Sequence, residues 1–135
     1  MDKKFRKKER LCSRKTVGKL FESGKMLKRF PFKIIYSCDS YDQSPVKIAV
    51  SVPKKIHKRA VKRNFIRRRI KEAYRLNKRI LYEAIEQKIT LNIIVIYISS
   101  NIEGYAEIEK KFTGVLPVLL EHVKKDIDNC PGNSD

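Results

Sequence analysis

The sequence contains few of the residues that build catalytic or metal sites in proteins. Its 135 residues include two histidines, three cysteines, five glycines and no tryptophan. His57 and His122 lie far apart in the chain, and no CxxC pair, phosphate-binding glycine-rich loop or nucleophile elbow occurs. The acidic residues are scattered, so neither a metal-binding carboxylate cluster nor a histidine pair for acid–base chemistry is indicated. We therefore expect no catalytic residue, no metal site and no cofactor bound by this chain alone.

Long apolar runs and disulfide patterns are also missing. The longest apolar run, residues 93–98, is far shorter than the roughly 20 residues that span a bilayer. No apolar segment follows the basic N-terminus, so a secretory signal is not indicated. Three widely spaced cysteines are typical of reduced thiols in a cytosolic protein, and we expect a cytoplasmic location.

Negative charge is scarce. The chain has 32 Lys and Arg residues against 15 Asp and Glu residues, which gives a formal net charge of +17. From Lys54 to Arg79 there are thirteen basic residues and one acidic residue, so the positive charge is concentrated in one stretch. A folded domain with such a field usually binds a polyanion. Nucleic acid is the first candidate, and an anionic membrane surface is the second.

Hydrophobic periodicity and turn residues predict one α+β domain, a small sandwich of helices packed on a sheet. The predicted elements are, in chain order, a helix over 14–23, strands over 30–38 and 46–52, a helix over 59–88, a strand over 90–98 and a helix within 105–127. This is the order α-β-β-α-β-α, with room for one short extra strand near the first helix. Ser13 is expected to cap the first helix and Gly24 to end it. The domain is expected to cover 1–127, followed by a disordered tail at 128–135.

The long basic helix separates residue types by face. On a helical wheel, four residues cluster on the side expected to pack on the core: Ile66, Ile70, Ala73 and Tyr74. The opposite side carries Asn64, Arg67, Arg68, Lys71 and Arg75, with Arg63 at its flank. An ordinary solvated face mixes both signs of charge, because like charges at i,i+4 repel. A membrane-surface helix would need apolar anchors that here serve the core. Guanidinium groups suit phosphate, so we interpret this face as an RNA-binding surface.

The stretch SVPKKIHKRAVKRNFIRRRIKEAYR, residues 51–75, closely resembles the signature of the bacterial ribonuclease P protein subunit. In that family a Ser-Val-x-Lys-Lys strand end leads into Ala-Val-x-Arg-Asn and a run of Arg and Lys. The upstream stretch RLCSRKTVGKLFESGK, residues 10–25, is similar to the family's N-terminal helix pattern. The resemblance covers residues 8–123, which is most of the chain.

This resemblance implies an α+β fold whose crossover between parallel strands is left-handed, against the usual right-handed rule. It also implies that the protein joins a large catalytic RNA, and that together they remove the 5′ leader of precursor transfer RNA. The RNA would carry out the hydrolysis with its own Mg²⁺, which agrees with the missing catalytic groups. The partners implied are the catalytic ribonuclease P RNA and the precursor leader, with no membrane and no DNA.

The resemblance and the charge pattern together assign two groups of candidate residues. The residues expected to bind the catalytic RNA are Lys54, Lys55, Lys58, Arg59, Lys62, Arg63, Asn64, Arg67, Arg68, Lys71 and Arg75. A cleft between the first helix and the sheet is expected to hold the leader, with Val17, Phe21 and Ser51, and with Ile35 or Tyr36 from the first strand. Phe21 fits a core position about as well, since aromatic residues on helix faces usually pack. His57 fits either an RNA contact or a loop position.

Some positions depart from the family pattern. Phe65 stands where the family has the second Arg of Arg-Asn-Arg, and Val17 stands where it often has an aromatic residue. The turn at 56–60 has no glycine and is one residue longer than in many relatives. The alternative function is a ribosomal or general RNA-binding protein without a processing role, which would share the charge. The ordered spacing from the Lys54-Lys55 pair to the Arg63-Asn64 pair distinguishes the two.

Overall fold

The structure is a computed structural model. It describes residues 14–40, 45–85, 89–100 and 104–128. Several predicted features lie outside the described residues: the cap at Ser13, the middle of the turn after the first predicted strand, the last residues of the helix predicted to end at 88, and the tail from 129 onward.

Within these described residues, three helices and four strands form the α+β fold that the sequence predicts. Their bounds are α1 Arg14–Ser23, β1 Lys25–Arg29, β2 Phe32–Ser40, β3 Val46–Ser51, α2 Ala60–Ile85, β4 Ile89–Tyr97 and α3 Tyr105–Asp128. The predicted class and order are confirmed, and β1 is the short extra strand. Gly24 follows the last residue of α1, as its role as a helix stop predicts.

The strands form one mixed sheet with the order β1-β2-β4-β3. β2 pairs antiparallel with both β1 and β4, whereas β3 pairs parallel with β4. β4 is central and almost wholly buried, as its apolar residues on both faces predict. α2 joins the parallel pair β3 and β4 and is therefore the crossover helix. The left-handedness of this crossover stays a prediction.

α2 and α3 pack on one face of the sheet and form the main core with it. The four α2 residues predicted to face the core, Ile66, Ile70, Ala73 and Tyr74, are all fully buried. Under α3, the ring of Phe32 contacts the rings of Tyr97 and Phe112 edge-on, with centroids 6.1 and 6.0 Å apart. This core holds α2 rigidly, so that its outer side is presented to solvent.

α3 is continuous through two residues that disfavour helices. It begins at Tyr105 and passes through Gly114 and Pro117 without a break. Their combined cost is about 4 kcal/mol. The buried side chains of Ile108, Phe112 and Leu119 each contribute about 1.5–3 kcal/mol, which outweighs it.

Of the three described helices, α1 is the one on the opposite face of the sheet. A small apolar cluster joins them, made by Leu20 of α1 with Ile35 and Ile94 of the sheet. A helix of 10 residues is about 15 Å long, which is too short to cover four strands. Ala49 and Ser51 of β3 therefore remain partly exposed beside α1. This face of the sheet is therefore incompletely covered beside α1, where the sequence predicts the leader cleft.

Candidate RNA-binding surfaces

The residues predicted to bind the catalytic RNA lie in the turn before α2 and along the first half of that helix. We call this set, Lys54 to Arg75 as given above, the cationic face. None of its members is buried: three are half-buried (Arg63, Arg67 and Arg75), and the others are exposed. The structure thus brings all of the predicted residues to the molecular surface on two adjacent elements.

The turn is anchored from within by His57. Two backbone hydrogen bonds shape it, because the amides of Ile56 and His57 both donate to the carbonyl of Pro53, at 3.1 and 3.0 Å. His57 is only 5% exposed, and its Nε2 lies 2.8 Å from the carbonyl oxygen of Ser99. Its ring also packs at 6.0 Å from the ring of Tyr97. His57 is therefore an internal anchor that ties the basic turn to the end of β4, and it is not positioned to touch RNA.

Arg63 supports the same turn. Its Nη1 donates to the carbonyls of His57 and Lys58, at 3.1 and 2.7 Å. A guanidinium that bridges two carbonyls fixes the backbone that carries Lys54, Lys55 and Lys58. The structure therefore gives Arg63 a supporting role that the helical wheel could not indicate.

Two further arginines of the cationic face have side-chain partners. Arg67 Nη2 donates to Asn64 Oδ1 at 2.5 Å, so the two side chains are aligned along the helix. Arg75 donates to both carboxylate oxygens of Glu72, its neighbour at i,i+3. These hydrogen bonds lower the pKa of Glu72 below its ordinary value and raise that of Arg75. Arg75 therefore contributes less free positive charge than the sequence suggests.

The other basic side chains of the cationic face are exposed and have no partner within the described part of the chain. Among the residues that the structure describes, no ion pair or side-chain hydrogen bond involves Arg68 or Lys71. The side chains of Lys54, Lys55, Lys58, Arg59 and Lys62 likewise make no ion pair or hydrogen bond with any described residue. Unpaired cations in this density repel one another, and a bound polyanion would relieve that repulsion.

The α1 side of the sheet brings together most of the residues predicted for the leader cleft. Val17 packs on the apolar cluster that contains Ile35, while Ser51 lies on the same face at the end of β3. Phe21 follows Val17 by one helical turn and is 57% exposed, so the core alternative for Phe21 is wrong. The prediction that Tyr36 lines the leader cleft is wrong, because its side chain points to the other face of the sheet, into the main core under α2 and α3. Of the two strand candidates, Ile35 is the one beside α1.

Gly24 allows α1 to lie this close to β2. Its amide donates to the carbonyl of Leu20 at 2.8 Å and so closes the last turn of α1. A Cβ at this position would lie 2.5 Å from that carbonyl oxygen and 2.8 Å from Ile35 Cγ2. Only a residue without a side chain fits there unless the helix moves away from the sheet.

Exposed Met26 and half-buried Arg69 were not predicted as site residues. Met26 is 60% exposed and lies opposite Ile35 in the sheet register, on the α1 face. Arg69 stacks its guanidinium on Phe65, with 4.6 Å between the guanidinium carbon and the ring centroid. Phe65, the position that departs from the family pattern, thus lies on the flank of α2 that faces α3. The place of Met26 depends on the pairing of β1 with β2, which no sequence signal marks. Phe65 and Arg69 are i,i+4 neighbours within α2, so their contact could have been predicted from their spacing.

Comparison with known proteins identifies the family. The family model described as Ribonuclease P matches residues 5–118. This chain belongs to the ribonuclease P protein family. The ribonuclease P protein component of Porphyromonas gingivalis is 34% identical over 106 residues, which cover 77% of each chain. That of Petrotoga mobilis is 43% identical over 74 residues, or 55% of this chain and 60% of the relative. The family expected from residues 51–75 is confirmed.

Solved ribonuclease P proteins share the fold. The Staphylococcus aureus protein superposes with a TM-score of 0.65 at 21% identity, covering 82% of this chain and 94% of its own. The Thermotoga maritima protein gives 0.66 at 23% identity, with 80% and 94% covered. Within the described residues, no group of three or more His, Cys, Asp or Glu residues could hold a metal ion. No helix of that part is long and apolar enough to cross a membrane. The ribosomal alternative is not favoured by these matches.

Proposed function

We propose that this ribonuclease P family protein binds the catalytic RNA of a cytoplasmic ribonuclease P with its cationic face and the 5′ leader of precursor transfer RNA in its α1 cleft. The observation that carries the proposal is the set of basic side chains that have no partner among the described residues, on an anchored turn and on the outer side of α2. Basic residues on a loose loop would lose backbone entropy on binding, whereas the backbone that carries these residues is already held by hydrogen bonds.

The cationic face suits the phosphates of a folded RNA. Lys58 and Arg59 stand just before α2, whose N-terminus adds partial positive charge and favours an anion there. Arg68 and Lys71 extend the same charge along the helix. Asn64, aligned by Arg67, offers a neutral donor and acceptor for a base edge or a 2′-hydroxyl.

The α1 cleft suits an unpaired strand. Its floor is apolar, made by Ile35 and the partly buried Val17. The exposed ring of Phe21 offers a stacking surface, and base–aromatic stacking contributes about 1–3 kcal/mol per base. Ser51 at the end of β3 supplies a hydroxyl that donates to or accepts from the strand.

The chain contributes binding and orientation, and the RNA contributes the chemistry. The described acidic residues form no cluster that fits Mg²⁺, so the ions of the holoenzyme would be held by the RNA. Neutralising phosphates with lysine and arginine lowers the repulsion between two RNA molecules. The protein would therefore draw the precursor onto the catalytic RNA at ion concentrations where the RNAs alone repel.

Selective binding tests the proposal against a general RNA-binding role. We expect the protein to bind ribonuclease P RNA more tightly than an unrelated folded RNA of the same length, measured by filter binding over a series of salt concentrations. The preference should persist at high salt, because non-specific binding weakens most steeply as salt rises. Equal affinity for both RNAs at every salt concentration would contradict the proposal.

A further inference from the structure

A groove separates the start of α3 from the neighbouring flank of α2. It has a volume of about 540 Å³ and is lined by Phe65, Arg68, Arg69, Glu72, Leu76 and Tyr105. This volume falls within the roughly 300–1,000 Å³ of small-molecule sites. The function proposed above uses only Arg68 among these residues, so most of the groove has no assigned role.

Flat groups form the walls of the groove. The guanidinium carbon of Arg69 lies 4.6 Å from the ring centroid of Phe65 and 5.8 Å from that of Tyr105. Leu76 adds an apolar side chain that is 36% exposed. Aromatic rings and guanidinium planes are the groups on which unpaired nucleobases stack.

The polar groups of the groove are held in place by neighbouring residues. The hydroxyl of Tyr105 donates to Glu109 Oε2 at 3.0 Å, and Asn77 Nδ2 donates to the same oxygen at 3.4 Å. Burial, followed by the bond to Glu109, raises the pKa of Tyr105, so the phenol stays protonated at neutral pH. Both oxygens of Glu72 accept hydrogen bonds from Arg75, which offsets the negative charge at the edge of the groove.

We propose that this groove binds a single unpaired nucleotide of RNA, with its base stacked on Phe65 and Tyr105 and its phosphate on Arg68. The inference rests on the proposed function, because Arg68 belongs both to the groove and to the cationic face and would join the two contacts along one RNA. Charge favours a nucleotide over an apolar peptide, since two arginines flank the aromatic walls and the one acidic side chain of the lining is neutralised by Arg75.

Matched substitutions at Tyr105 test the stacking contact. We expect Tyr105→Leu to weaken binding of a short single-stranded oligouridylate by about 5- to 150-fold, the effect of losing one stacked base. Tyr105→Phe keeps the ring and should bind like the parent. Equal binding by all three proteins would overturn the inference, and so would equal losses in both variants.

The unmodified protein gives a second readout that does not depend on the folding of a variant. We expect the ring proton resonances of Phe65 and Tyr105 to shift on addition of uridine monophosphate but not on addition of inorganic phosphate. Unchanged ring signals with both probes would overturn the inference. Displacement of bound uridine monophosphate by a longer single strand would support it, whereas shifts with an apolar peptide alone would overturn it.

A charge-matched pair separates stacking from simple electrostatics. Arg69→Ala and Arg79→Ala each remove one positive charge from α2, but Arg79 is exposed outside the groove and pairs with Glu83 at 2.6 Å. We expect only Arg69→Ala to reduce oligouridylate binding. Equal reduction by both would overturn the groove inference.

The outcomes also separate this inference from the proposed function. Selective binding of ribonuclease P RNA by the parent, with unchanged RNA and oligouridylate binding by Tyr105→Leu, would overturn the groove inference and leave the proposed function intact. Ring shifts and Tyr105-dependent oligouridylate binding without selectivity for ribonuclease P RNA would support the groove and overturn the proposed function.

Discussion

At the scale of single residues, the cationic face divides into side chains that hold the structure and side chains that remain available. Arg63 bridges two carbonyls, Arg67 bonds to Asn64, and Arg75 bonds to Glu72. Arg68 and Lys71 have exposed charges and no such partner among the described residues. We expect the side chains without such partners, Arg68 and Lys71 among them, to determine the affinity for RNA.

The double variant Arg68→Ala, Lys71→Ala tests this division. It should weaken binding to ribonuclease P RNA and reduce the slope of log affinity against log salt by about 1.4–1.8, the value for two lost phosphate contacts. Filter binding over a salt series measures both quantities. Arg79→Ala with Lys110→Ala removes the same charge from exposed positions outside the face, and an identical loss in this control would mean that only net charge matters.

Phe21 and Leu20 are adjacent in α1 but differ in burial, and this makes them a matched pair. Phe21→Ala should cost little stability, because the side chain is 57% exposed, yet weaken binding of precursor transfer RNA more than of mature transfer RNA. Leu20→Ala, from a residue that is 2% exposed, should cost about 2–5 kcal/mol of unfolding free energy. Thermal unfolding measures the stability of both variants, and binding assays measure their affinities for precursor and for mature transfer RNA. Equal losses for precursor and mature transfer RNA would remove Phe21 from the leader contact.

The structural roles of Tyr36 and His57 could not be predicted from the sequence. Alternation places Ile35 and Tyr36 on opposite faces of β2, but it cannot say which face lies under α1. That choice depends on where α1 packs, so only the structure excludes Tyr36 from the cleft. His57 was ambiguous for the same reason, because its partner Ser99 is 42 residues away in sequence.

At the scale of elements, the tight approach of α1 to β2 depends on Gly24. Gly24→Ala should destabilise the protein by about 1–3 kcal/mol, because the added Cβ would overlap Leu20 and Ile35. A Cβ added by Gly18→Ala, inside α1, would meet no atom within 4 Å. This variant should therefore stabilise the protein by about 0.5–1 kcal/mol. Denaturant unfolding of the two variants checks the signs. A stabilising Gly24→Ala would contradict the close packing described.

Most elements were predictable because their patterns are local. The apolar periodicity of α2 and the continuous apolar run of β4 each determine the element type without tertiary information. β1 is harder to predict from the sequence, because its five residues KMLKR are mostly polar and only Leu27 is buried. Such an edge strand is defined by its pairing with β2, which the sequence does not encode locally.

At the scale of the whole molecule, strand order and charge distribution together produce the two surfaces. β4 lies between β2 and β3, so the turn after β3 lies near the end of β4, where His57 anchors it. The same order leaves β3 at the sheet edge beside the α1 cleft. Strand order follows from packing across the sheet and could not be derived from periodicity. The resemblance of residues 51–75 implied a crossover between parallel strands but not the order of the four strands.

The most direct test of the account is reconstituted cleavage. Protein, a bacterial ribonuclease P RNA and precursor transfer RNA are mixed at low magnesium, and removal of the 5′ leader is followed over time. We expect no cleavage by the protein alone, strong stimulation of the RNA by the parent protein, and weak stimulation by the Arg68→Ala, Lys71→Ala variant. An RNA that cleaves no faster with the parent protein than without it would contradict the account.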